Sequence, residues 1–230
     1  MYNDLEENYQ SNKTKRLAFK ILSYLLIIII AFIFAFFLVS TVRFYFFRPI
    51  QVDGESMTPT YKNNEVLSAN TVGINSINDI KRMQVYIFYL QRNVDNQESL
   101  EMPIFSDWNH YVKCMPFFSN MGKSTDVPGW SILIKRAIAV GGDTVEFKSE
   151  LYEGVQRIFI YVNDEKIDDP INMIDNTSSY FLDGYDRVSA RAKITVPENH
   201  IFFVGDNRDG SYDSRFFGAI PLERVIGKVN

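Results

Sequence analysis

The pattern of apolar and polar positions begins with one long uncharged run. From Ile21 to Val42 there are 22 positions without a charged residue, bracketed by Lys20 and Arg43. About 20 apolar residues cross the core of a bilayer. The run is apolar on every face, unlike a helix packed on a core, and it exceeds the roughly 7–15 apolar residues of a cleaved signal peptide. The pattern predicts a transmembrane anchor over 21–42, which follows a tail over 1–20.

The charges that flank this run indicate its orientation. Four basic residues precede it, and two follow it closely: Lys13, Lys15, Arg16 and Lys20 before, Arg43 and Arg48 after. Cytoplasmic flanks carry the excess of Lys and Arg. We therefore expect a single-pass protein of the cell membrane, with a cytoplasmic N-terminus and residues 43–230 outside. Only 14 residues separate Val42 from Ser56, a reach of at most about 50 Å, so Ser56 is tethered near the membrane.

The later apolar runs are short, rich in β-branched and aromatic residues, and bounded by Gly, Pro, Asn or Asp. They comprise residues 85–90, 131–134, 144–147, 158–162, 193–196 and 200–204. Such runs predict strands, and Asn163-Asp164 is typical of a hairpin turn. The fold class predicted for 43–230 is therefore mainly β, antiparallel and partly barrel-like, behind the single transmembrane helix. Residues 91–130 lack this periodicity and are interpreted as an insertion, in which Cys114 serves packing.

Composition removes several classes of function. The chain is 46% hydrophobic and 15% aromatic, which is typical of a folded protein, and its net charge of −4 provides no basic field for nucleic acid. One cysteine excludes an internal disulfide, and two histidines without a C-x-x-C pair argue against a metal site. We expect no metal, no cofactor and no nucleic-acid partner.

Ser56 is a candidate nucleophile, because Gly54 and Pro59 can shape a sharp loop around it. The same hydroxyl could simply cap a turn. A serine nucleophile needs a base, which could be His110, His200 or a buried lysine. Lys135 ends the apolar run 132–134, and burial lowers the pKa of a lysine amine so that it can accept a proton. Its alternative interpretation is a strand lysine that points to solvent.

The polar segment 205–218 is dense in Asp and Asn. Its spacing does not fit an EF-hand, because Gly210 at the sixth position would place Gly205 and Phe216 at the first and twelfth. From its residues alone, the segment is a polar loop whose charges can pair with one another.

Three blocks of residues, in this order behind an N-terminal anchor, resemble the bacterial type I signal peptidases. The blocks are Ser56-Met57-x-Pro59-Thr60, then Lys135-Arg136 with Gly142-Asp143, then Gly205-Asp206-Asn207-Arg208 through Ser211, Asp213-Ser214-Arg215 and Gly218. The resemblance covers 43–230 in patches and leaves 91–130 unmatched. Val52-Asp53-Gly54-Glu55-Ser56 is most similar to the short Gram-positive type with one anchor. The resemblance implies a serine endopeptidase that removes signal peptides from exported preproteins through an acyl-enzyme.

The resemblance also implies roles for individual residues. Ser56 would be the nucleophile, Lys135 the general base and then acid, and Ser211 the residue that orients the lysine. Val52, Met57 and Ile134 would line the substrate pocket. Arg136 with Asp206, and Asp213 with Arg215, would form structural ion pairs. The Ser56 N–H would bind the oxyanion, and Gly54 offers no second hydroxyl donor. The implied partners are preproteins and the lipid bilayer, and the protein is expected to be a monomer.

Some positions depart from the family pattern. Met83-Gln84 stands where the family has Gly-Asp, Ala139 and Gly141 replace its small residue and proline, and 79 residues separate Ser56 from Lys135. These departures leave a second hypothesis open, a degenerate member that acts as an assembly or chaperone factor for particular exported proteins. A self-cleaving repressor-type peptidase would share the Ser–Lys pair, but it would carry a DNA-binding domain and no anchor.

Overall fold

The computed structural model describes residues 2–91, 129–168, 174–175 and 193–230. Within these residues there are two α-helices, two short 3-10 helices (Ile77–Asp79 and Leu222–Arg224) and twelve strands. The α-helices and strands are α1 Tyr2–Phe46, β1 Arg48–Gln51, β2 Val66–Asn70, β3 Val85–Gln91, β4 Trp130–Val140, β5 Thr144–Tyr152, β6 Val155–Val162, β7 Glu165–Lys166, β8 Ile174–Asp175, β9 Ile194–Thr195, β10 His200–Val204, α2 Ser214–Phe217, β11 Ile220–Pro221 and β12 Val225–Val229. Most of the predicted insertion, with His110 and Cys114, lies outside the described residues.

Helix α1 contains the apolar run and continues to Phe46. Its residues 12–46 are long and apolar enough to cross a membrane, and few of them are buried inside the protein. The large apolar side chains from Ile21 to Leu38 are mostly exposed, as expected where lipid rather than protein surrounds a helix. The helix therefore fits a membrane-anchored protein.

The larger sheet has seven strands in the order β1-β2-β12-β3-β4-β10-β11. Every pairing in it is antiparallel, and β3 pairs with β4 along its whole length, from Val85↔Arg136 to Gln91↔Trp130. Strand β10 joins β4 only between Arg136 and Val140. The half of β4 before Arg136 therefore has β3 on one side and no described strand on the other.

The smaller sheet is ordered β7-β6-β5-β9, and β8 also pairs with β6. The turn 141–143 carries the chain directly from β4 into β5. A shared apolar cluster then fills the space between the two sheets, with Ile138, Phe202 and Val204 from one and Phe147 and Ile160 from the other. The prediction of a mainly antiparallel β fold behind an apolar helix is confirmed, and the sheets are not closed into a barrel.

Two further apolar clusters cover the two faces of the larger sheet. Alternate residues of β3 separate them, since Ile87 packs in one cluster and Phe88 in the other. This is the period-two alternation of a strand that is buried on both faces. Both clusters are dense in aromatic and β-branched residues, so they hold the central strands, and with them Lys135 on β4, in a fixed position.

The sequence pattern missed β1, β2 and β12. Strand β2 reads Val-Leu-Ser-Ala-Asn, with little β-branched content, and β12 contains Gly227. A side chain at Gly227 would place its Cβ 2.6 Å from the Asn70 carbonyl oxygen. Glycine inside this strand thus permits a close approach between β12 and β2, although it weakens the strand signal in the sequence.

Candidate active site

Ser56 lies in the loop between β1 and β2. The loop is closed on itself because Val52 exchanges hydrogen bonds with Glu65 and Asn64, and Tyr61 N–H donates to the Met57 carbonyl. The Gly54 N–H donates to Asn63 Oδ1 at 3.0 Å, and Gly54 has a φ of +88°, which glycine adopts without strain. The loop leaves Ser56 half-buried, with its hydroxyl turned toward β4.

Lys135 reaches Ser56 from β4. Its Nζ lies 2.7 Å from Ser56 Oγ and donates to its neighbour's carbonyl, Ile134 O, at 2.9 Å. The lysine is only 3% exposed. Burial lowers the pKa of the Lys135 amine to about 8, although the negative charges of Asp213 and Asp206 oppose that shift. At neutral pH roughly a tenth of such an amine is uncharged and able to accept a proton.

The loop after β10 holds the serine loop in place. Asn207 N–H donates to the Ser56 carbonyl at 3.1 Å, and Asn207 Nδ2 donates to the Glu55 carbonyl at 3.1 Å. Gly205 lies so close that a Cβ there would stand 2.5 Å from Ser56 O and 2.0 Å from Ser211 Oγ. Sequence reasoning assigned no role to Asn207 or Gly205, although both belong to the third block.

A buried ion pair organises the end of that loop. Asp213 accepts hydrogen bonds from Arg215 Nε and Nη2, both at 2.8 Å, and from the Gly205 N–H at 3.0 Å. It also caps α2 by accepting from the Arg215 N–H. Burial raises the pKa of Asp213, but the charge and hydrogen bonds of Arg215 outweigh burial and hold that pKa below its usual value. Asp213 is therefore charged at neutral pH.

Replacing Asp213 with asparagine should destabilise the protein by about 3–5 kcal/mol, because the charge of Arg215 would stay buried without its partner. Urea unfolding of the full chain in detergent measures this. Asp164→Asn is the matched control, since its pair with Lys193 is exposed and worth less than about 1 kcal/mol. Because the pKa of Asp213 is lowered in the folded protein, the charged carboxylate adds to the free energy of unfolding near pH 7. This stabilisation is lost as the pH falls through that pKa. Equal losses in both variants would contradict this assignment.

The second expected pair, Arg136 with Asp206, also forms in the structure. Arg136 Nε donates to Asp206 Oδ1 at 2.7 Å and Nη2 to Oδ2 at 2.5 Å. Arg136 Nη1 also donates to the Met83 carbonyl. Met83 adopts a φ of +67°, a left-handed conformation that glycine takes more readily than methionine.

The expected pocket residues are close together but well covered. Val52, Met57 and Ile134 pack in one apolar cluster, on the side of the larger sheet where the Ser56 loop lies. Met57 is fully buried, while Val52 and Ile134 keep a small exposed fraction. Their part in binding a substrate stays a prediction.

The structure places Ser211 inside the site but not on the lysine. Its Oγ is buried and makes no hydrogen bond of ordinary geometry with a described group, but it lies close enough to Asp213 to join Arg215 in keeping the pKa of that carboxyl below its usual value. The hydrogen bonds of Lys135 Nζ run to Ser56 and Ile134. The role of Ser211 in orienting the lysine therefore stays a prediction. His200 stands at the start of β10, where its Nδ1 lies 2.8 Å from the Glu198 carbonyl. Between the two basic candidates in the described residues, only Lys135 is hydrogen-bonded to Ser56.

A serine hydroxyl hydrogen-bonded to a buried lysine amine is the arrangement of serine peptidases that work without a catalytic histidine. The sequence profile of the signal peptidase family, peptidase S26, matches residues 21–230. The chain therefore belongs to that family and is a serine peptidase, a hydrolase.

Two relatives found by sequence agree with this assignment. Signal peptidase I of Bacillus caldolyticus is 25% identical over 84% of this chain and 82% of its own length. Signal peptidase IB of Staphylococcus aureus strain COL is 27% identical over 92% of this chain and 88% of its own. A crystal structure of a signal peptidase I from Enterococcus faecalis V583 aligns with 66% of this chain and 97% of its own, at 19% identity and a TM-score of 0.37.

Proposed function

We propose that this protein is a membrane-anchored endopeptidase that removes N-terminal signal peptides from exported preproteins. Ser56 would be the nucleophile and Lys135 the general base. Family membership supports the reaction, and one observation supports the mechanism: the nearly inaccessible Lys135 amine lies within hydrogen-bond distance of the Ser56 hydroxyl. The helix over 12–46 supports the anchor.

The chemistry follows from the two side chains. The neutral Lys135 amine takes the Ser56 proton as the serine oxygen attacks the scissile carbonyl. The ammonium then gives that proton to the leaving amine, and the mature protein departs while the signal peptide stays esterified to Ser56. Water, deprotonated by the same amine, attacks the ester and frees the carboxyl end of the signal peptide. No step requires a metal or a cofactor.

The oxyanion that forms at the scissile carbonyl needs hydrogen-bond donors. None of the described groups accepts a hydrogen bond from the Ser56 N–H, so this donor is available. Gly54 has no side chain to supply the second donor. The ammonium of Lys135, 2.7 Å from Ser56 Oγ, adds a positive charge to the site after the first proton transfer and so favours the anionic intermediate.

An extended substrate would pair with the edge of β4. Strand β10 leaves β4 at Arg136, so residues 132–134 form an edge beside the dyad that no described strand covers. A peptide added to this edge would gain backbone hydrogen bonds, while alternate side chains would point toward the cluster of Val52, Met57 and Ile134. Backbone pairing explains how one site could accept many sequences, and the apolar cluster would restrict the side chains next to the cut.

The proposed base predicts how activity depends on pH. Because the pKa of Lys135 is lowered only to about 8, kcat/KM should rise with pH and level off above that value. Below it, kcat/KM should fall about tenfold per unit as the amine becomes charged. Cleavage of a signal-peptide substrate between pH 5.5 and 9.5 measures this, with circular dichroism as a control for unfolding. A flat profile across this range would exclude Lys135 as the base.

The proposed topology has the N-terminus in the cytoplasm and residues 43–230 outside, as a single-pass monomer. The excess of basic residues before the apolar run supports this orientation. It would place the dyad on the side of the membrane where exported preproteins emerge. Enzyme and signal peptide would then share one bilayer, which raises their effective concentration without additional contacts.

A further inference from the structure

The anchor joins the catalytic domain without a linker. Helix α1 ends at Phe46 and β1 begins at Arg48, so Phe47 alone separates a helix from a strand of the larger sheet. The Phe47 N–H still donates to the Arg43 carbonyl in helical fashion, at 3.1 Å. Strand β1 pairs with β2 from its first residue, Arg48↔Ala69. The sequence predicted only that the 14 residues from Val42 to Ser56 keep the serine near the membrane, and in the structure this stretch begins as a helix that is followed at once by a paired strand.

Thr71, the residue that follows β2, is hydrogen-bonded to the end of the anchor helix. Both its N–H and its Oγ1 donate to the Tyr45 carbonyl at 3.0 Å. Carbonyls in the last turn of a helix have no partner within the helix, and Tyr45 obtains two donors from the sheet. A residue 26 positions away in sequence thus caps the anchor helix.

The last turns of the helix also pack as part of the domain. Phe44 is 5% exposed and Arg48 is 4% exposed, and the Arg48 guanidinium lies 4.8 Å from the centre of the Phe44 ring. One turn earlier, Ser40 is fully buried. Residues 40 and 44 lie on one face of the helix, four positions apart. This face is buried, whereas the rest of the span is exposed, so the contact is confined to the domain end of the anchor.

We propose that Thr71 is a positioning residue that locks the anchor helix to the larger sheet and so fixes the height of Ser56 above the bilayer. The proposal rests on the proposed function, because a fixed height matters only if the substrate is held in the same membrane. A preprotein whose apolar segment spans the bilayer presents its scissile bond at a set distance from the lipid. A rigid anchor would hold Ser56 at that distance without the loss of conformational entropy that ordering a flexible linker requires.

The rigidity can be measured without any activity. In a Cys114→Ser background, spin labels at Leu26 on the helix and Leu151 on β5, both exposed, report the distance between anchor and domain in nanodiscs. We expect one narrow distance distribution in the otherwise unchanged chain. It should broaden when two glycines are inserted after Phe47, and broaden less in Thr71→Val, which keeps the backbone bond. A broad distribution before any insertion, or an unchanged one after it, would overturn the lock.

The functional consequence needs two substrates, a membrane-inserted preprotein and a short soluble peptide with the same cleavage site. Thr71→Val should lower kcat/KM for the preprotein about fivefold, the effect of roughly one hydrogen bond, and the glycine insertion should lower it further. Cleavage of the peptide should change less than about twofold in both variants. Thr14→Val is the matched control, since the exposed Thr14 Oγ1 donates to Gln10 O inside the same helix, and it should leave both substrates unaffected.

The possible failures are distinguishable. If Thr71→Val and the insertion lower the cleavage of both substrates equally, or of neither, the positioning role is wrong while the peptidase assignment stands. If the unaltered protein cleaves neither substrate, the proposed function itself fails, and the positioning role falls with it.

Discussion

Alanine at Ser56 should lower kcat for signal-peptide cleavage by about four orders of magnitude or more, and alanine at Lys135 should have a similar effect. Without Oγ the acyl-enzyme cannot form, and without the amine the hydroxyl keeps its proton. Because the two groups act as one unit, the double variant should be no worse than either single variant. Steady-state cleavage of a preprotein by the three variants in detergent measures this.

Matched controls are available in the chain. Ser149→Ala and Lys62→Ala remove an exposed serine and an exposed lysine, and each should retain activity within about twofold, as surface substitutions usually do. If Ser56→Ala and Lys135→Ala cleave as fast as these controls, the dyad is wrong. If the unaltered protein shows no cleavage while exported proteins misassemble in its absence, the chaperone or assembly hypothesis replaces the peptidase.

Alanine at Gly205 should reduce kcat/KM by about a hundredfold or more, although it removes no reactive group. The added Cβ would stand 2.0 Å from Ser211 Oγ, 2.4 Å from Ser211 Cβ and 2.5 Å from Ser56 O. Real contacts of Cβ atoms are longer, so the Ser56 loop and the Ser211 loop must separate. A displacement of about 1 Å at a nucleophile commonly costs on the order of a hundredfold in rate.

Two comparisons make the Gly205 result specific. Gly73→Ala strains a glycine with φ +88° that has nothing within 4 Å of its added Cβ, so it should cost about 1 kcal/mol of stability and little activity. Adding Ser211→Ala to Gly205→Ala should not restore cleavage, because the contact with Ser56 O remains. Full activity of Gly205→Ala would show that the two loops are not held against each other.

The sequence suggested which two side chains form the candidate site, but it did not suggest the contacts that hold them in place. Ser56 and Lys135 could be proposed because a lysine in an apolar strand is costly to bury and because three blocks resemble a known family. The contacts of Asn207 with the Ser56 loop join residues some 150 positions apart, and no local pattern reports such a distance. The role of Gly205 could not be predicted for the same reason, because its lack of a side chain matters only when Ser211 and Ser56 pack against it in the fold.

The strands of the fold also divide into those that the sequence predicted and those that it missed. The strands with alternating or continuous β-branched and aromatic residues, such as β3, β6 and β10, were predicted. Strands β1, β2 and β12 were missed because they depend on pairing with strands that are distant in sequence. In β12, Gly227 leaves room for the close approach of Asn70 on β2, and this glycine weakens the strand pattern in the sequence. The contact between Thr71 and the anchor helix could not be predicted either. Nothing in the local sequence around Thr71 indicates that it donates hydrogen bonds to Tyr45, 26 residues earlier.

The order in which the site is assembled has a consequence during synthesis. Ser56 is held by Gly205 and Asn207, and the end of their loop is organised by Asp213 and Arg215, which are synthesised about 150 residues after Ser56. The ribosome adds about 5–20 residues per second, so roughly ten seconds or more pass between the emergence of the helix and that of this loop. Under the proposed topology, a nascent chain would therefore enter the lipid before the contacts that hold its own Ser56 loop can form.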